Sequence, residues 1–487
     1  MKKFLFGFLG LGLLLAGCQK SEPDTPQAGS SAVPKIENAS INDGASDVAL
    51  DIGQIDVVFN MPVVLSDASK VSMNGLSLSV SVTNKLLRVG FGDLEKDKEY
   101  VLVVDAGAVS SKADGTPCDR ATLTFTTPKT PAVPGGGTTP DPDPDAPVYN
   151  PGEPGNYSPS LVTENPLPNA QSVYEYMLSI YGSRTLSGAM AKVNWNLDEV
   201  NWVQKWTGKY PAMATFDYIH LPYSNSGSWI DYGDITPAKA WFDKGGIVSA
   251  SWHWNVPVRN GSTEYTFNTN TTFKPSNVLK DGTWEKEVAD ADLKKMAGYL
   301  KQLQDEGIPV VWRPLHEAAG NIYTQWHSGA WFWWGSEGAK AYRDLWRYMF
   351  DFFKAEGLRN LIWVWTTQTS SEADVDYAFY PGDEYVDIVG KDIYNIWGAS
   401  DIASIFNVVA HMAPNKMVTL SENGNVADMS AQWNAGAKWL YFMPWYDYDN
   451  DFSSGYAHAH ASISWWSSSF ANPSVVDLSE LPSDLYE

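Results

Sequence analysis

The chain has 487 residues, of which 44% are hydrophobic and 13% aromatic, so it is a folded protein with room for two domains and not a disordered chain. Its 34 Lys and Arg against 57 Asp and Glu give a formal net charge of −23, which disfavours nucleic acid and polyanionic polysaccharides and favours a neutral ligand. Two cysteines, Cys18 and Cys118, are too few for a disulfide framework. The 22 tryptophans suit a hydrophobic core and also the flat faces of sugar rings.

The first residues resemble a bacterial lipoprotein signal. Two lysines precede an apolar run that ends in Leu15-Ala16-Gly17-Cys18, which is typical of a secretory signal peptide over residues 1–17. The resemblance to a lipobox implies lipid attachment to the sulfur of Cys18 and anchoring to the outer membrane or cell surface of a bacterium. An ordinary signal peptide with an incidental cysteine is the alternative. Residues 18–32, rich in Ser, Pro and Gly, are predicted to be a tether.

Residues 33–128 are predicted to form a small antiparallel β-sandwich. Short runs rich in Val, Leu and Thr are separated by Gly, Asn and Asp clusters. The runs are IDVVFNMPV, LSLSVSVTN, LLRVGFGDL, EYVLVVDAG and ATLTFTT. The segment resembles bacterial immunoglobulin-like modules, and we expect a spacer; glycan binding is the alternative. Residues 129–160 are rich in Pro, Gly and Asp, which predicts a semi-rigid linker.

Residues 161–487 alternate apolar runs with helix-like stretches such as DADLKKMAGYLKQLQDEG, whose leucines and methionine recur at helical spacing. Eight such strand–helix units predict a (β/α)8 TIM barrel. A doubly wound open sheet is the rival, but it usually carries a Gly-rich phosphate loop, and the sequence has none. The eight runs are Thr185–Met190, Pro211–Tyr218, Gly246–Trp254, Val310–Glu317, Leu361–Gln368, Val386–Tyr394, Met417–Gly424 and Leu440–Tyr448.

Charged residues collect where these runs end, and in a barrel the strand ends form the active-site face. The fourth run, VVWRPLHE, places Arg313, His316 and Glu317 within five residues. Glu422 ends the seventh run, across the predicted barrel mouth from Glu317. Two facing carboxyl groups can divide the roles of acid and nucleophile at a glycosidic bond. The alternative for a single strand-end glutamate is a salt bridge, for example with Arg313.

The motif WRPLHEAAGN followed by WFWWG resembles the signature of glycoside hydrolase family 26, whose main activity is endo-β-1,4-mannanase. The blocks PAMATFDY, GGIVSASWHW, DIVGKDIYN and VTLSENG resemble further blocks in the same order. The resemblance implies a (β/α)8 barrel and a retaining mechanism, with Glu317 as acid/base and Glu422 as nucleophile. It also implies two histidines lining the cleavage subsite, a tyrosine that hydrogen-bonds the nucleophile and a tryptophan at the cleavage point: His253, His316, Tyr394 and Trp334.

The sequence departs from the family pattern at two places. NIYTQWHSGA, from Asn321 to Ala330, separates the acid/base block from WFWWG, and we expect it to reshape the cleft beside Glu317. Asn423 follows the nucleophile where other residues are commoner, which affects only local hydrogen bonding.

Aromatic residues near the predicted strand ends are candidates to stack on sugar rings, with core packing as the alternative for part of them. Trp254 and Trp445 are predicted substrate contacts beside Trp334. The full set is Trp252, Trp254, Tyr323, Trp326, Trp331, Trp334, Trp397, Trp445 and Tyr446.

Two acidic or histidine-rich patterns are weak metal candidates. Asp447–Asp451 has acids at alternate positions but lacks the glycine and glutamate of a calcium loop. His458 and His460 form an isolated pair without an evident third ligand. We therefore expect no metal and no cofactor, and a chain that acts as a monomer.

Three functions remain open from the sequence. A retaining endo-β-1,4-mannanase acting on mannan, galactomannan or glucomannan is favoured. A β-1,3/1,4-glucanase or a xylanase would use the same site on another sugar, with His253 and His316 as candidates to discriminate at C2. A surface glycan-binding lipoprotein without turnover has no need of a facing carboxylate pair.

Overall fold

The computed structural model describes residues 33–41, 43–45, 48, 52–92, 94–95, 98–127, 146–193, 195–320, 330–369, 373–448 and 458–486. The chain divides into two compact units, Met1–Thr130 and Pro131–Glu487. The predicted signal peptide, Cys18 and its tether lie outside the described residues, as does most of the predicted linker. Within the described part, no helix has both the length and the hydropathy needed to cross a membrane.

In its described residues, the first unit has nine short strands that pair antiparallel. They are β1 (Ile36–Ala39), β2 (Gln54–Phe59), β3 (Val63–Leu65), β4 (Val71–Met73), β5 (Ser79–Thr83), β6 (Leu86–Gly90), β7 (Glu99–Val104), β8 (Val109–Ser111) and β9 (Ala121–Thr126). One sheet has the order β1-β2-β6-β5, another the order β4-β7-β9, and β3 pairs with β8. Alternate residues of β2, β6 and β7 are buried in one shared core. This is expected for sheets that pack one face on the core and expose the other to solvent. All five predicted runs contain a strand.

The second unit contains the remaining strands and the helices. The strands are β10 (Thr185–Met190), β11 (Met213–Asp217), β12 (Ile247–Trp252), β13 (Val256–Pro257), β14 (Tyr265–Thr266), β15 (Val310–Pro314), β16 (Leu361–Thr367), β17 (Ile388–Tyr394), β18 (Met417–Gly424), β19 (Tyr441–Pro444) and β20 (Val475–Val476). The helices are α1 (Pro168–Ile180), α2 (Asp198–Thr207), α3 (Thr236–Phe242), α4 (Trp284–Asp305), α5 (Ala339–Ala355), α6 (Ala373–Ala378), α7 (Ala399–Met412), α8 (Met429–Ala435) and α9 (Ile463–Phe470).

Eight parallel strands close into a barrel, which confirms the predicted (β/α)8 fold and excludes the open sheet. The order is β10-β11-β12-β15-β16-β17-β18-β19, and β19 pairs again with β10. The strands are buried on both faces, so their sequences are mostly apolar. β13 and β14 form a hairpin in the connection after β12, and β20 adds to β10.

The helical periodicity predicted for α4 is confirmed. Leu293, Met296, Leu300 and Leu303 are all buried against the barrel. The chain leaves the helix at Gly307, whose φ of 72° is readily adopted by glycine.

The fourth predicted strand is too long, and this matters for the site. β15 ends at Pro314 because Leu315 and Glu317 have φ angles of 48° and 53°, in the left-handed region that no strand contains. His316 and Glu317 therefore lie on a tight turn beyond the strand, and not on its last residues as the apolar pattern predicted.

Candidate active site

The carboxyl ends of six barrel strands bring a dense polar cluster together at one face. Its centre is Arg313, on β15, which is almost completely buried. The surrounding groups come from strand ends or from the residues directly after them: Asp217, His253, His316, Glu317, Asp392, Tyr394, Glu422 and Trp445. These residues are up to 228 positions apart in the chain (445 − 217), so only barrel closure assembles them.

Arg313 holds two carboxylates with one guanidinium. Its Nη2 donates to Oε2 of Glu422 at 2.8 Å and also forms a salt bridge with Asp392. Nη1 donates to Ser251 Oγ and Nε to Thr366 Oγ1, both at 3.2 Å. A buried cation is tolerated when it is paired and its donors are used. The salt bridge to Arg313 that the sequence offered as the alternative for a strand-end glutamate is thus formed by Glu422, and Asp392 pairs with the same guanidinium.

Asp392 is a site residue that sequence reasoning missed. It is fully buried on β17, and Ser421 Oγ donates to its Oδ1 at 2.8 Å. Burial raises its pKa and the charge of Glu422 adds to the effect, while Arg313 opposes both. A usable signal was present, because Asp392 precedes Tyr394 by two residues and alternate strand residues share a face.

Glu422 accepts a hydrogen bond on each carboxylate oxygen. Arg313 occupies Oε2, and the Tyr394 hydroxyl donates to Oε1 at 2.5 Å, the contact expected from the family resemblance. Burial raises the pKa of Tyr394, and the neighbouring Glu422 charge raises it further, so the phenol stays a donor. These two hydrogen bonds, one of them from a cation, fix the orientation of the Glu422 carboxylate.

A bulge in β18 aims Glu422 into this cluster. Lys391 pairs with Leu420 but Asp392 pairs with Glu422, so Ser421 is an extra residue in the ladder. Bulges of this kind redirect side chains and are frequent next to active sites. As a result, Ser421 and Glu422 both contact the polar cluster, whereas successive residues of a regular strand would face opposite sides.

Glu317 is in a different electrostatic environment. It is half-buried, at positive φ, with its backbone N–H donating to Thr366 O at 3.0 Å. Burial raises the pKa of Glu317 well above its ordinary value, and the negative charges of Asp392 and Glu422 raise it further, against Arg313. The Glu317 carboxyl therefore keeps its proton to higher pH than an ordinary glutamate does. Strained backbone at a non-glycine residue is often found at functional sites.

Two histidines line the same face, as predicted. His253 is fixed by Asp217, whose Oδ2 lies 2.5 Å from Nδ1 and whose Oδ1 accepts the His253 backbone N–H at 3.1 Å. The His316 ring lies edge-on to His253 with centroids 4.4 Å apart. Burial lowers the pKa of His316 well below its ordinary value, and Arg313 contributes, so this imidazole is neutral.

The predicted tryptophan contacts separate into one at the site and two in the wall. Trp445 packs edge-on to His253 at 5.7 Å, beside Tyr394. Trp254 is fully buried, stacked on Trp252, and Trp334 is fully buried with its Nε1 donating to the carbonyl of His316. A direct sugar contact by Trp254 or Trp334 was wrong, because their ring faces are covered by protein.

The remaining predicted aromatics differ in exposure. Trp252 is fully buried, Trp331 and Tyr446 are half-buried, and Trp397 is exposed. Tyr323 and Trp326, in the inserted segment after Glu317, lie outside the described residues.

Of the two histidines after β19, His458 has a structural role. His458 Nδ1 accepts the backbone N–H groups of His460 and Ala461, and its Nε2 lies 3.3 Å from Oε2 of buried Glu199. Glu199 also accepts the backbone N–H of Asp447. These contacts fix the connection between β19 and α9. Residues 449–451 of the acidic stretch lie outside the described residues.

One group in the described part of the chain has spacing that would suit a cation. Ligand atoms of His316, Glu317 and Asp392 lie within 4.8 Å of one another. Arg313 already neutralises Asp392, and protonated Glu317 is a poor ligand. The donor set thus fits proton chemistry better than metal binding.

A closed parallel barrel whose mouth carries one carboxyl of raised pKa and one carboxylate held by two donors has the arrangement that glycoside hydrolases use. The chain belongs to glycosyl hydrolase family 26, whose family model matches residues 162–471.

Relatives agree with this assignment. Mannan endo-1,4-beta-mannosidase B of Piromyces sp is 33% identical over 337 residues, covering 67% of this chain and 54% of the relative. Mannan endo-1,4-beta-mannosidase A of the same organism is 32% identical over 337 residues, covering 67% and 51%. The chain thus spans about half the length of these curated relatives. The GH26 domain of an endo-beta-mannanase/endo-beta-glucanase from Prevotella bryantii is 39% identical with a TM-score of 0.61, covering 66% of this chain and 99% of that domain.

Proposed function

We propose that this chain is a retaining endo-β-1,4-mannanase that hydrolyses internal linkages of neutral β-mannans. The observation that carries the proposal is the contrast between two glutamates at one barrel mouth: both oxygens of Glu422 accept hydrogen bonds, whereas burial and negative neighbours raise the pKa of Glu317. Glycosidic cleavage needs this division between acid and carboxylate. The names of the relatives, the Prevotella bryantii domain included, support mannan as substrate.

In the first step, a Glu422 oxygen attacks the anomeric carbon as the bond to the departing sugar oxygen breaks. Glu317 transfers its proton to that oxygen, which leaves as a free hydroxyl. The products are a glycosyl ester on Glu422 and an ionised Glu317, so the total charge is unchanged. Arg313 and Tyr394 orient Glu422 for the attack.

In the second step, Glu317 accepts a proton from water, and the water oxygen attacks the anomeric carbon and releases Glu422 as carboxylate. Glu422 is one of the negative charges that raise the pKa of Glu317. Its conversion to a neutral ester lowers that pKa, which makes Glu317 a better base at the moment a base is needed.

The substrate assignment is tested by product analysis on mannan, galactomannan, glucomannan and barley β-glucan. We expect a ladder of short manno-oligosaccharides, and slower turnover of β-glucan. His253, fixed by Asp217, and His316 are the candidates to distinguish mannose from glucose at C2. Faster turnover of β-glucan or xylan than of mannan would assign the site to another sugar.

The retaining mechanism is tested by the stereochemistry of the first product. Proton NMR before mutarotation should detect the β-anomer, because two displacements restore the configuration. A slow 2-fluoro substrate analogue should leave a covalent glycosyl adduct on Glu422. An α-anomer, or an adduct on another residue, contradicts the roles given to the two glutamates.

We propose further that the first unit is an immunoglobulin-like spacer. Its antiparallel sheets with one shared core support a sandwich. We also propose that lipid on Cys18 anchors the chain to the outer membrane or cell surface and that the chain acts as a monomer. The lipobox-like ending of the apolar run supports the anchor.

A further inference from the structure

Exposed aromatic side chains form a platform on the barrel face that carries the site. The Trp229 platform consists of His220, Tyr223, Trp229 and Tyr265. Trp229 is 66% exposed and Tyr223 40% exposed. The Trp229 ring lies 4.9 Å from His220 and 6.4 Å from Tyr223, and Tyr223 lies 5.6 Å from Tyr265. Clustered exposed aromatics of this kind mark binding surfaces.

The Trp229 platform is continuous with the catalytic cluster. Three of its members follow β11, and Tyr265 is on the β13–β14 hairpin after β12, so all extend from the carboxyl ends of barrel strands. Phe267, two residues beyond Tyr265, packs edge-on to His253 at 5.3 Å. The same hairpin therefore borders both the platform and the cleavage site.

Hydrogen bonds hold the loop that supports the platform. In the loop that presents Trp229, the Gly227 N–H donates to Asp231 Oδ2 at 3.1 Å and the Ser228 N–H to Asn225 O at 3.0 Å. Stacking a sugar on a fixed ring costs less conformational entropy than ordering a mobile one.

A second exposed tryptophan lies on the other side of the mouth. Trp397 follows β17, is 67% exposed and lines a groove of about 600 Å³ together with Asn425, Asp428 and His460. His460 packs edge-on to Tyr394 at 5.6 Å, next to the Glu422 carboxylate. Burial lowers the pKa of His460 to about 4, so its ring is neutral, and neither ring nitrogen has a hydrogen-bond partner among the residues that the structure describes.

The two surfaces stand opposite each other. The platform extends from the second and third strands of the eight-stranded barrel, and the Trp397 groove from the sixth and seventh. Glu317, after the fourth strand, and Glu422, on the seventh, lie between them. We propose that the Trp229 platform and the Trp397 groove are outer subsites for one mannan chain, which crosses the mouth with the cleaved bond in the middle. This inference rests on the proposed function.

The test compares Trp229→Ala and Trp397→Ala with Trp206→Ala, and uses Trp229→Phe and Trp397→Phe as conservative variants. Trp206 is the control: it is 38% exposed, but it lies at the end of α2, just before β11 begins. That end of the strand is on the face of the barrel opposite the site. Substrates are mannohexaose, galactomannan and a short aryl β-mannobioside. Thermal unfolding should be unchanged in all variants, because the substituted rings are exposed.

We expect Trp229→Ala and Trp397→Ala each to lower kcat/KM on mannohexaose and galactomannan by about 3- to 10-fold, as loss of one aromatic stacking contact would, whereas Trp206→Ala should keep the wild-type kcat/KM. The aryl mannobioside should be cleaved at the wild-type rate, and the phenylalanine variants should recover most of the loss. In the double variant the factors should multiply, because the sites are far apart. Cleavage of end-labelled mannohexaose should shift in opposite directions in the two single variants.

Two outcomes separate this inference from the proposed function. Wild-type rates and cleavage positions in both alanine variants, with an active wild type, overturn the outer subsites and leave the mannanase assignment intact. A wild type that does not cleave mannohexaose or mannan overturns both.

Discussion

At the scale of single residues, the site depends on one cation shared by two of three carboxyl groups. Arg313 binds Glu422 and Asp392, whereas half-buried Glu317 faces their negative charges. The same residue type thus has two different environments in one cluster: Glu422 is held by two donors, and the pKa of Glu317 is raised. Environment, not residue identity, assigns the roles of acid and nucleophile.

Glu317→Ala should reduce turnover of mannan by about a hundred- to ten-thousand-fold, since this is the usual contribution of general acid assistance. An aryl mannoside with a good leaving group needs less protonation, so its glycosylation rate should fall much less. The measurement is pre-steady-state glycosylation on both substrates. Equal losses on the two would contradict the acid role.

The pH profile should report the pKa of Glu317. Because that pKa is raised, the active protonated form persists to higher pH than for an ordinary glutamate, and kcat/KM is lost as pH rises through it. Asp392→Asn removes a charge that raises this pKa, so the alkaline limb of kcat/KM should move to lower pH. An alkaline limb that stays in place or moves upward would show that Asp392 does not act on Glu317.

At the scale of elements, two local irregularities place the carboxyl groups. The turn after β15 puts Glu317 at positive φ, and the bulge at Ser421 aims Glu422 inward. Gly424 completes β18 where no side chain fits: a Cβ there would lie 2.3 Å from His460 Nδ1 and 2.6 Å from Tyr394 Cε1. Gly424 thus packs directly against Tyr394, whose hydroxyl donates to Glu422.

Gly424→Ala should therefore displace Tyr394 and weaken its hydrogen bond to Glu422. We expect kcat to fall about ten- to a hundred-fold, the range for a hydrogen bond to a charged group. Stability should fall by about 1–3 kcal/mol from overpacking. Activity and thermal unfolding measure the two effects.

Gly298→Ala, in α4, is the matched control. No atom lies within 4 Å of a Cβ at Gly298. This variant should keep full activity and gain up to about 1 kcal/mol, because alanine is the better helix former. Wild-type kcat in Gly424→Ala would rule out steric support of Tyr394.

At the scale of the whole molecule, each of the two units has a core of its own. The first buries alternate residues of antiparallel strands, and the second buries both faces of a parallel barrel. The groups proposed for catalysis all come from the second unit. Attachment to a membrane and cleavage of substrate should therefore be separable by mutation.

Cys18→Ala should release the protein from the membrane fraction with its activity on soluble galactomannan intact. Stable anchoring takes more than one acyl chain, so multiple chains on Cys18 are expected. Cys118→Ser is the control, because Cys118 is buried in the core of the first unit and should not affect partitioning. Membrane partitioning that survives Cys18→Ala would remove the lipoprotein proposal.

The sequence alone determined the features that depend on neighbours along the chain. Apolar runs identified all eight barrel strands, and β10 and β18 have the predicted bounds, because a strand buried on both faces is rich in apolar residues. Polar residues at the ends of those runs were enough to select Glu317 and Glu422.

Only the tertiary structure decided which groups those glutamates face. Asp392 reaches Arg313 across 79 positions, and His458 reaches Glu199 across 259, and no local pattern contains either pair. The burial of Trp254 and Trp334 likewise depends on the residues that pack over them. A tryptophan near a strand end can face solvent or the protein interior, and the sequence does not say which. The bulge at Ser421 follows from the register between two strands, which hydrophobic periodicity within one strand does not specify.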